Sequence, residues 1–235
     1  MKPMSSSAAL SQWLFEFIMT VNCGVFSIVL SSFVMAVSCG HLVGHCRKWV
    51  KYELLEWTWT VIPALLVAWI ASASFYVLYA NGEHKEPTLF HSVITGHQWY
   101  WSYKYGKVTD GEFKGFEHDS YGLLLDAPDG EADVTSLERG DMYLMSVDAP
   151  FVMPCKVPGE LLVTSDDVIH SWSVPALGLT IDAVPGRLNR SSIYATTPGV
   201  AYGHCRELCG VNHHAMPIVV EIISASTYLK FLDTE

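Results

Sequence analysis

The sequence predicts a membrane-anchored all-β protein, in which a two-helix transmembrane hairpin is followed by a β-sandwich or barrel. Three observations carry that expectation. Two long apolar runs without charge lie in the first third of the chain. Beyond residue 83 the pattern changes to short alternating segments separated by turn residues. Close to the C-terminus, a group of soft metal-binding side chains sits in a loop-forming stretch. Half of the 235 residues are hydrophobic and only 16% are charged. The mean hydropathy is +0.25, more apolar than an ordinary soluble domain.

Residues 1–12, with serines at 5 to 7, read as an N-terminal arm, and residues 13–82 as the hairpin. Its charge-free runs, residues 17–39 and 57–80, are 23 and 24 residues long. Each exceeds the roughly 20 residues that a helix needs to cross the hydrocarbon core. The spans are expected at about 15–41 and 57–80, joined by a loop over 42–56. A secretory signal is the rival reading of the first run, but Glu16 stands where such a signal carries positive charge. Arg47, Lys48 and Lys51 put the connecting loop on the inner side of the membrane, and both termini on the outer side.

Residues 83–235 form the extramembrane domain. Segments 142–147, 160–164, 169–174 and 217–223 read as strands, residues 126–133 as an acidic turn-rich loop, and Val157, Pro158 and Gly159 as a bulge or bend. From residue 81 onward there are 21 acidic and 10 basic residues, a net of −11. That field excludes nucleic acid as a partner and favours a basic protein, unless it serves solubility alone.

Residues 205–216 read C-R-E-L-C-G-V-N-H-H-A-M. Thiols, an imidazole and a thioether are soft donors suited to a redox metal, whereas magnesium or calcium would ask for oxygens. A mononuclear blue-copper site uses one Cys, so the second thiol leaves three readings open: zinc, a disulfide, or two coppers bridged by both sulfurs. Neither zinc nor a disulfide has a use for Met216. A cupredoxin-like sandwich would explain the order of the donors, with His170 as the early histidine, 35 residues before Cys205. The spacing C-x-x-x-C-x-x-x-H favours His213 over its neighbours His204 and His214.

The stretches L-L-V-T-S-D-D-V-I-H-S-W-S-V-P-A-L-G-L, D-A-V-P-G-R-L-N, C-R-E-L-C-G-V-N-H-H-A-M-P-I-V-V-E and G-H-Q-W-Y-W-S-Y resemble the subunit 2 family of cytochrome c oxidases. In the hairpin, the likeness rests mainly on layout and on E-W-T-W-T-V-I-P. The resemblance implies an oxidoreductase subunit that accepts electrons from cytochrome c at a binuclear copper centre, CuA. It would hand them to a haem-copper catalytic subunit 1, held with other oxidase subunits in membrane lipid, where oxygen is reduced and protons are translocated. It also implies Cys205 and Cys209 as bridging ligands, His170 and His213 as terminal nitrogens, Met216 as a weak axial ligand and the carbonyl of Glu207 as its counterpart. The Glu207 carboxylate would hold magnesium at the subunit interface.

By the same resemblance Trp99 would receive the electron, Asp119, Asp148, Asp166 and Asp167 would dock cytochrome c, and Glu56 would mark a proton-uptake entrance. Residues 99, 101, 103 and 105 are all aromatic, so a core-facing stripe is the plain alternative for Trp99. Lys104 departs from the family's acidic docking face. The expected location is the mitochondrial inner membrane, with the CuA domain on the intermembrane-space side; a bacterial plasma membrane is the alternative. Competing functions are a copper-free quinol-oxidase subunit with a structural role, the copper domain of a nitrous oxide reductase, and a copper chaperone or zinc-stabilised adhesion domain.

Overall fold

A computed structural model describes residues 2–40, 52–82, 87–109, 112–123 and 144–234. The basic loop residues Arg47, Lys48 and Lys51 and the acidic stretch 126–133 lie outside the described residues. The chain divides into two compact units, Leu10–Glu83 and a second that joins Met1–Ala9 to His84–Glu235.

The first unit is helical: α1 spans Ser6–Gly40 and α2 spans Glu53–Gly82. Both are long and apolar enough to cross a bilayer. Their surfaces carry Phe26, Ile28, Phe33, Trp57, Leu65 and Val67, each more than 60% exposed. Such a surface suits lipid or the apolar helices of other membrane subunits rather than water. Phe17 of α1 meets Trp69 of α2 edge to face, with ring centroids 4.8 Å apart. Pro63 lies inside α2, where it withholds a backbone donor that membrane helices tolerate losing.

Both helices extend N-terminally beyond the expected spans. Ser5 caps α1, its hydroxyl accepting the amide of Ala8 at 2.9 Å, so the helix starts at Ser6. Acidic Glu53 and Glu56 occupy the first turn of α2 and complement its dipole. The expected arm is built into the β unit. Met4 accepts from Thr196 N and donates to Ala176 O, both at 2.8 Å, and Ser5 forms a bridge with Ala195.

Among the described residues, the β unit forms two five-stranded sheets. The first has the order β3-β2-β1-β5-β8, from Glu112–Ser120, Tyr100–Thr109, Phe90–His97, Gly159–Ser165 and Asn189–Ile193. The second has the order β4-β10-β9-β6-β7, from Phe151–Pro154, Pro217–Ile223, Gly199–Cys205, His170–Val174 and Leu179–Ala183. Pairings β1·β5 and β4·β10 are parallel and the rest antiparallel. The core lies between the sheets: Ile94, Trp101, Tyr103, Leu161 and Val163, from the alternating strands of one sheet, and Phe151, Trp172, Ile218 and Val220 from the other, are all fully buried. A final helix, α3, spans Ala225–Thr234 and packs Tyr228 and Phe231 on this core.

The strands expected at 160–164, 169–174 and 217–223 form. The one expected at 142–147 does not form over its described part. Residues 144 and 145 are a turn, Leu144 has φ +56°, and Val147 makes only an isolated bridge with Gly122. A left-handed residue breaks the pleat that its alternating neighbours would otherwise support. The bend expected at 157–159 falls slightly earlier, at Cys155 and Lys156, the latter with φ +60°. Gly159 is already in β5, where a Cβ would lie 2.1 Å from the Phe90 ring.

Candidate metal centre

Strand β9 ends at Cys205 and β10 begins at Pro217, so residues 206–216 form the loop of a hairpin. Its last rungs pair His204 with Pro217, and Cys205 N–H donates to Met216 O at 3.1 Å. Two ends of the cluster are thereby clamped together by backbone bonds. His170 opens β6 and reaches the loop because β6 runs beside β9, with Trp172 paired to Cys205. Gly96, at the end of β1, leaves room for the imidazole: a Cβ there would stand 2.9 Å from His170 Cδ2.

His170, Cys205 and Cys209 are buried, with their donor atoms all within 4.8 Å of one another. The two sulfurs are 3.9 Å apart, far beyond the roughly 2.05 Å of a disulfide, and both cysteines are free. His170 Nδ1 lies 3.9 Å from Cys205 Sγ, and His213 Nδ1 lies 3.6 Å from Cys209 Sγ. Each thiol thus has its own imidazole. His214 is exposed, whereas His213 turns a ring nitrogen toward Cys209. Met216 is 1% exposed, while the carbonyl of Glu207 lies 3.3 Å from Cys205 Sγ. The Glu207 side chain is on the exposed side of the loop.

Charge at the site follows from these distances. Burial opposes ionisation of Cys205, but hydrogen bonds from His170 and from the backbone bring its pKa down to about 7. Burial and the neighbouring Cys205 thiolate push Cys209 up to about 12. Two sulfurs this close cannot both ionise unless a cation sits between them. Burial lowers His170, yet Cys205 and Asp167 outweigh it and raise its pKa. Burial likewise opposes the charge on Asp167, whose bonds to His170 and to the amides of Val168 and Gln98 hold it below the usual value.

Asp167 Oδ1 lies 2.8 Å from His170 Nε2, the ring nitrogen turned away from the sulfur. It fixes the imidazole as the carboxylates behind metal-bound histidines do. The other three candidate docking acids are exposed and belong to one surface. Asp119 and Asp148 accept from the hydroxyl and the amide of Tyr121, at 3.3 and 2.8 Å. Tyr121 stacks on Tyr100, Tyr100 on His97, and His97 lies 4.0 Å from Asp166. Lys104, read as a departure from this face, stands 3.9 Å from Glu117.

The aromatic stripe divides. Trp101, Tyr103 and Tyr105 are fully buried, whereas half-buried Trp99 lies against Gly210, where a Cβ would stand 3.2 Å from two of its ring atoms. Gln98, quoted in the motif only for its aromatic neighbours, donates from Nε2 to Cys209 O at 2.7 Å. Glu56 is on the exposed first turn of α2, in a depression with Glu53, Trp57 and Thr60.

Fold and site together define a membrane-anchored, cupredoxin-like domain with a soft-donor metal site at one end of the sandwich. Residues 91–223 match the periplasmic domain of cytochrome c oxidase subunit II, and residues 2–77 match its transmembrane domain. Cytochrome c oxidase subunit 2 of Pneumocystis carinii is 44% identical over 181 residues, covering 77% of this chain and 70% of that one. The solved periplasmic domain of subunit II of Bradyrhizobium japonicum cytochrome oxidase is 34% identical, with a TM-score of 0.51, covering 64% of this chain and 96% of that one. This chain belongs to the cytochrome c oxidase subunit II family, and is a membrane-anchored component of that oxidoreductase complex.

Proposed function

We propose that the cluster is a CuA centre and that this chain receives electrons from cytochrome c for the catalytic subunit. One observation carries the reading: two free, buried thiols 3.9 Å apart, each faced by its own imidazole. The donor set fits two coppers. Cys205, Cys209, His170 and His213, with Met216 and the Glu207 carbonyl, would hold them. When bound, the copper pair supplies reversible one-electron transfer. The protein supplies rigidity: burial, the β9–β10 rungs and the Asp167 bond hold the donors in one geometry whichever charge the metal carries.

The half-buried stack of Tyr121, Tyr100 and His97, with the exposed Asp119, Asp148 and Asp166, offers a basic partner such as cytochrome c both carboxylates and aromatic edges. Asp167 contributes to the same field while holding His170. Trp99, against Gly210, is the natural point of electron arrival. On the outer side of the loop, Leu208 and Val211 are 77% and 83% exposed beside Glu207. That apolar tip suits burial against the catalytic subunit, with the Glu207 carboxylate a hard ligand for magnesium at the junction. Glu56, on the exposed first turn of α2, is suited to gather protons.

Met4 and Ser5 pack into the β unit, which favours the start of α1 and the domain that follows α2 on one side of the membrane. This supports both termini on the intermembrane-space side of the mitochondrial inner membrane. All six CuA ligand positions are filled, against the copper-free quinol-oxidase reading. Metal analysis and EPR of the purified oxidase provide the test. The expected result is two coppers per chain at this site, with hyperfine structure from one electron shared over both nuclei. A site holding only zinc would overturn the assignment.

A further inference from the structure

Two separate segments carry the donors: the start of β6, with His170 backed by Asp167 from the preceding turn, and the loop with Cys205, Cys209 and His213. Among the described residues, Gln98 bonds to both. Its main-chain N–H donates to Asp167 Oδ2 at 2.6 Å, and Asp167 in turn holds His170. Its side-chain amide donates to the carbonyl of Cys209 at 2.7 Å, across 111 residues of sequence. It also immediately precedes Trp99, and both side chains lie against the same Gly210. A Cβ there would stand 3.0 Å from Gln98 Nε2 and 3.2 Å from Trp99 Nε1.

We infer that Gln98 is a positioning residue, which sets the placement of Cys209 relative to His170 and seats the Trp99 indole on the ligand loop. The inference rests on the metal-centre reading above. Gln98 touches no candidate donor atom, and acts through the backbone of one ligand and the carboxylate behind another. An amide N–H pointing at the loop places a positive dipole end near the centre, which disfavours its more positively charged, oxidised state. Removing the donor should therefore lower the midpoint potential. Freeing the Cys209 carbonyl should also loosen metal retention, by the order of 10-fold typical when groups behind metal ligands are lost.

Gln98 is exposed, so its substitution leaves the core intact. Gln98→Met keeps the length without a donor, and Gln98→Glu keeps the shape while setting a carboxylate against a carbonyl. Both retain the main-chain bond to Asp167. Purified oxidase carrying each variant would be read, without cytochrome c, by the midpoint potential and hyperfine pattern of the copper signal and by the half-time of copper loss to a chelator. A lower potential, altered hyperfine coupling and roughly 10-fold faster loss are expected for Met, with larger effects for Glu. Parental values in both variants would overturn the role of Gln98. If the parent holds zinc instead, the copper reading fails. Chelator release of zinc then tests Gln98 by itself, because Cys209 is a ligand in either case.

Discussion

Gly210→Ala perturbs backbone and contact at one point beside the candidate metal centre. Gly210 has φ +123°, a conformation in which a side chain is strained by about 1–3 kcal/mol. The new methyl would lie 3.0 Å from Gln98 Nε2 and 3.2 Å from Cζ2 and Nε1 of Trp99. Ordinary carbon contacts lie at about 3.5–4.0 Å, so amide and indole must withdraw by roughly half an ångström. For a domain of this size, 1 kcal/mol corresponds to about 2–4 °C, which gives an expected loss of about 2–12 °C. Thermal disappearance of the copper absorption in the purified oxidase measures that loss, and stopped-flow oxidation of reduced cytochrome c measures electron arrival, expected to slow as the indole is displaced. Gly186→Ala is the control. Gly186 has φ +73° with nothing within 4 Å of its Cβ position, so it adds strain without touching Trp99. A Gly210→Ala protein that melts and reacts as the parent does would refute the reasoning, and so would a Gly186→Ala protein whose electron arrival slows equally.

Trp99→Ala should slow electron arrival while the EPR signal of the centre persists, and an unchanged rate would remove Trp99 from the path. With a net of −11 beyond residue 80, association with cytochrome c should slow as salt shortens the screening length from about 30 Å at 0.01 M to about 8 Å at 0.15 M; kinetics independent of salt would argue against an acidic docking face. Ser5→Ala removes a hydroxyl that caps α1 and donates to Leu177 O at 2.6 Å, and should lower stability by about 1–3 kcal/mol. Thermal melting checks this, and an unshifted midpoint would mean that the N-terminal segment is not held in the domain.

The hairpin was legible because a charge-free run of helical length has few other fates than a membrane or a large core. Segments 160–164, 169–174 and 217–223 were legible as short runs rich in apolar and β-branched residues between turn residues. Segment 142–147 is a run of the same kind and misled, since such a run does not report the left-handed Leu144. The thiols announced a soft metal, and the family resemblance named their partners. Gln98 gave no signal of its own: an amide in a polar turn has many uses, and its partner is 111 residues away.

By itself, the sequence determined the class of protein, its anchoring in a membrane and the kinds of atom offered to the metal, because composition, period and short spacing are local properties. The tertiary structure alone decided that the thiols stand apart rather than bonded and that His213 rather than His214 faces them. It also turned Asp167 from a surface acid into the support of His170, and left Trp99 half-buried at the edge of the aromatic core. Each of those outcomes depends on which strands become neighbours, as where Trp172 pairs with Cys205. Such pairings join residues that no local pattern connects, and they are settled only when two sheets close over a shared core.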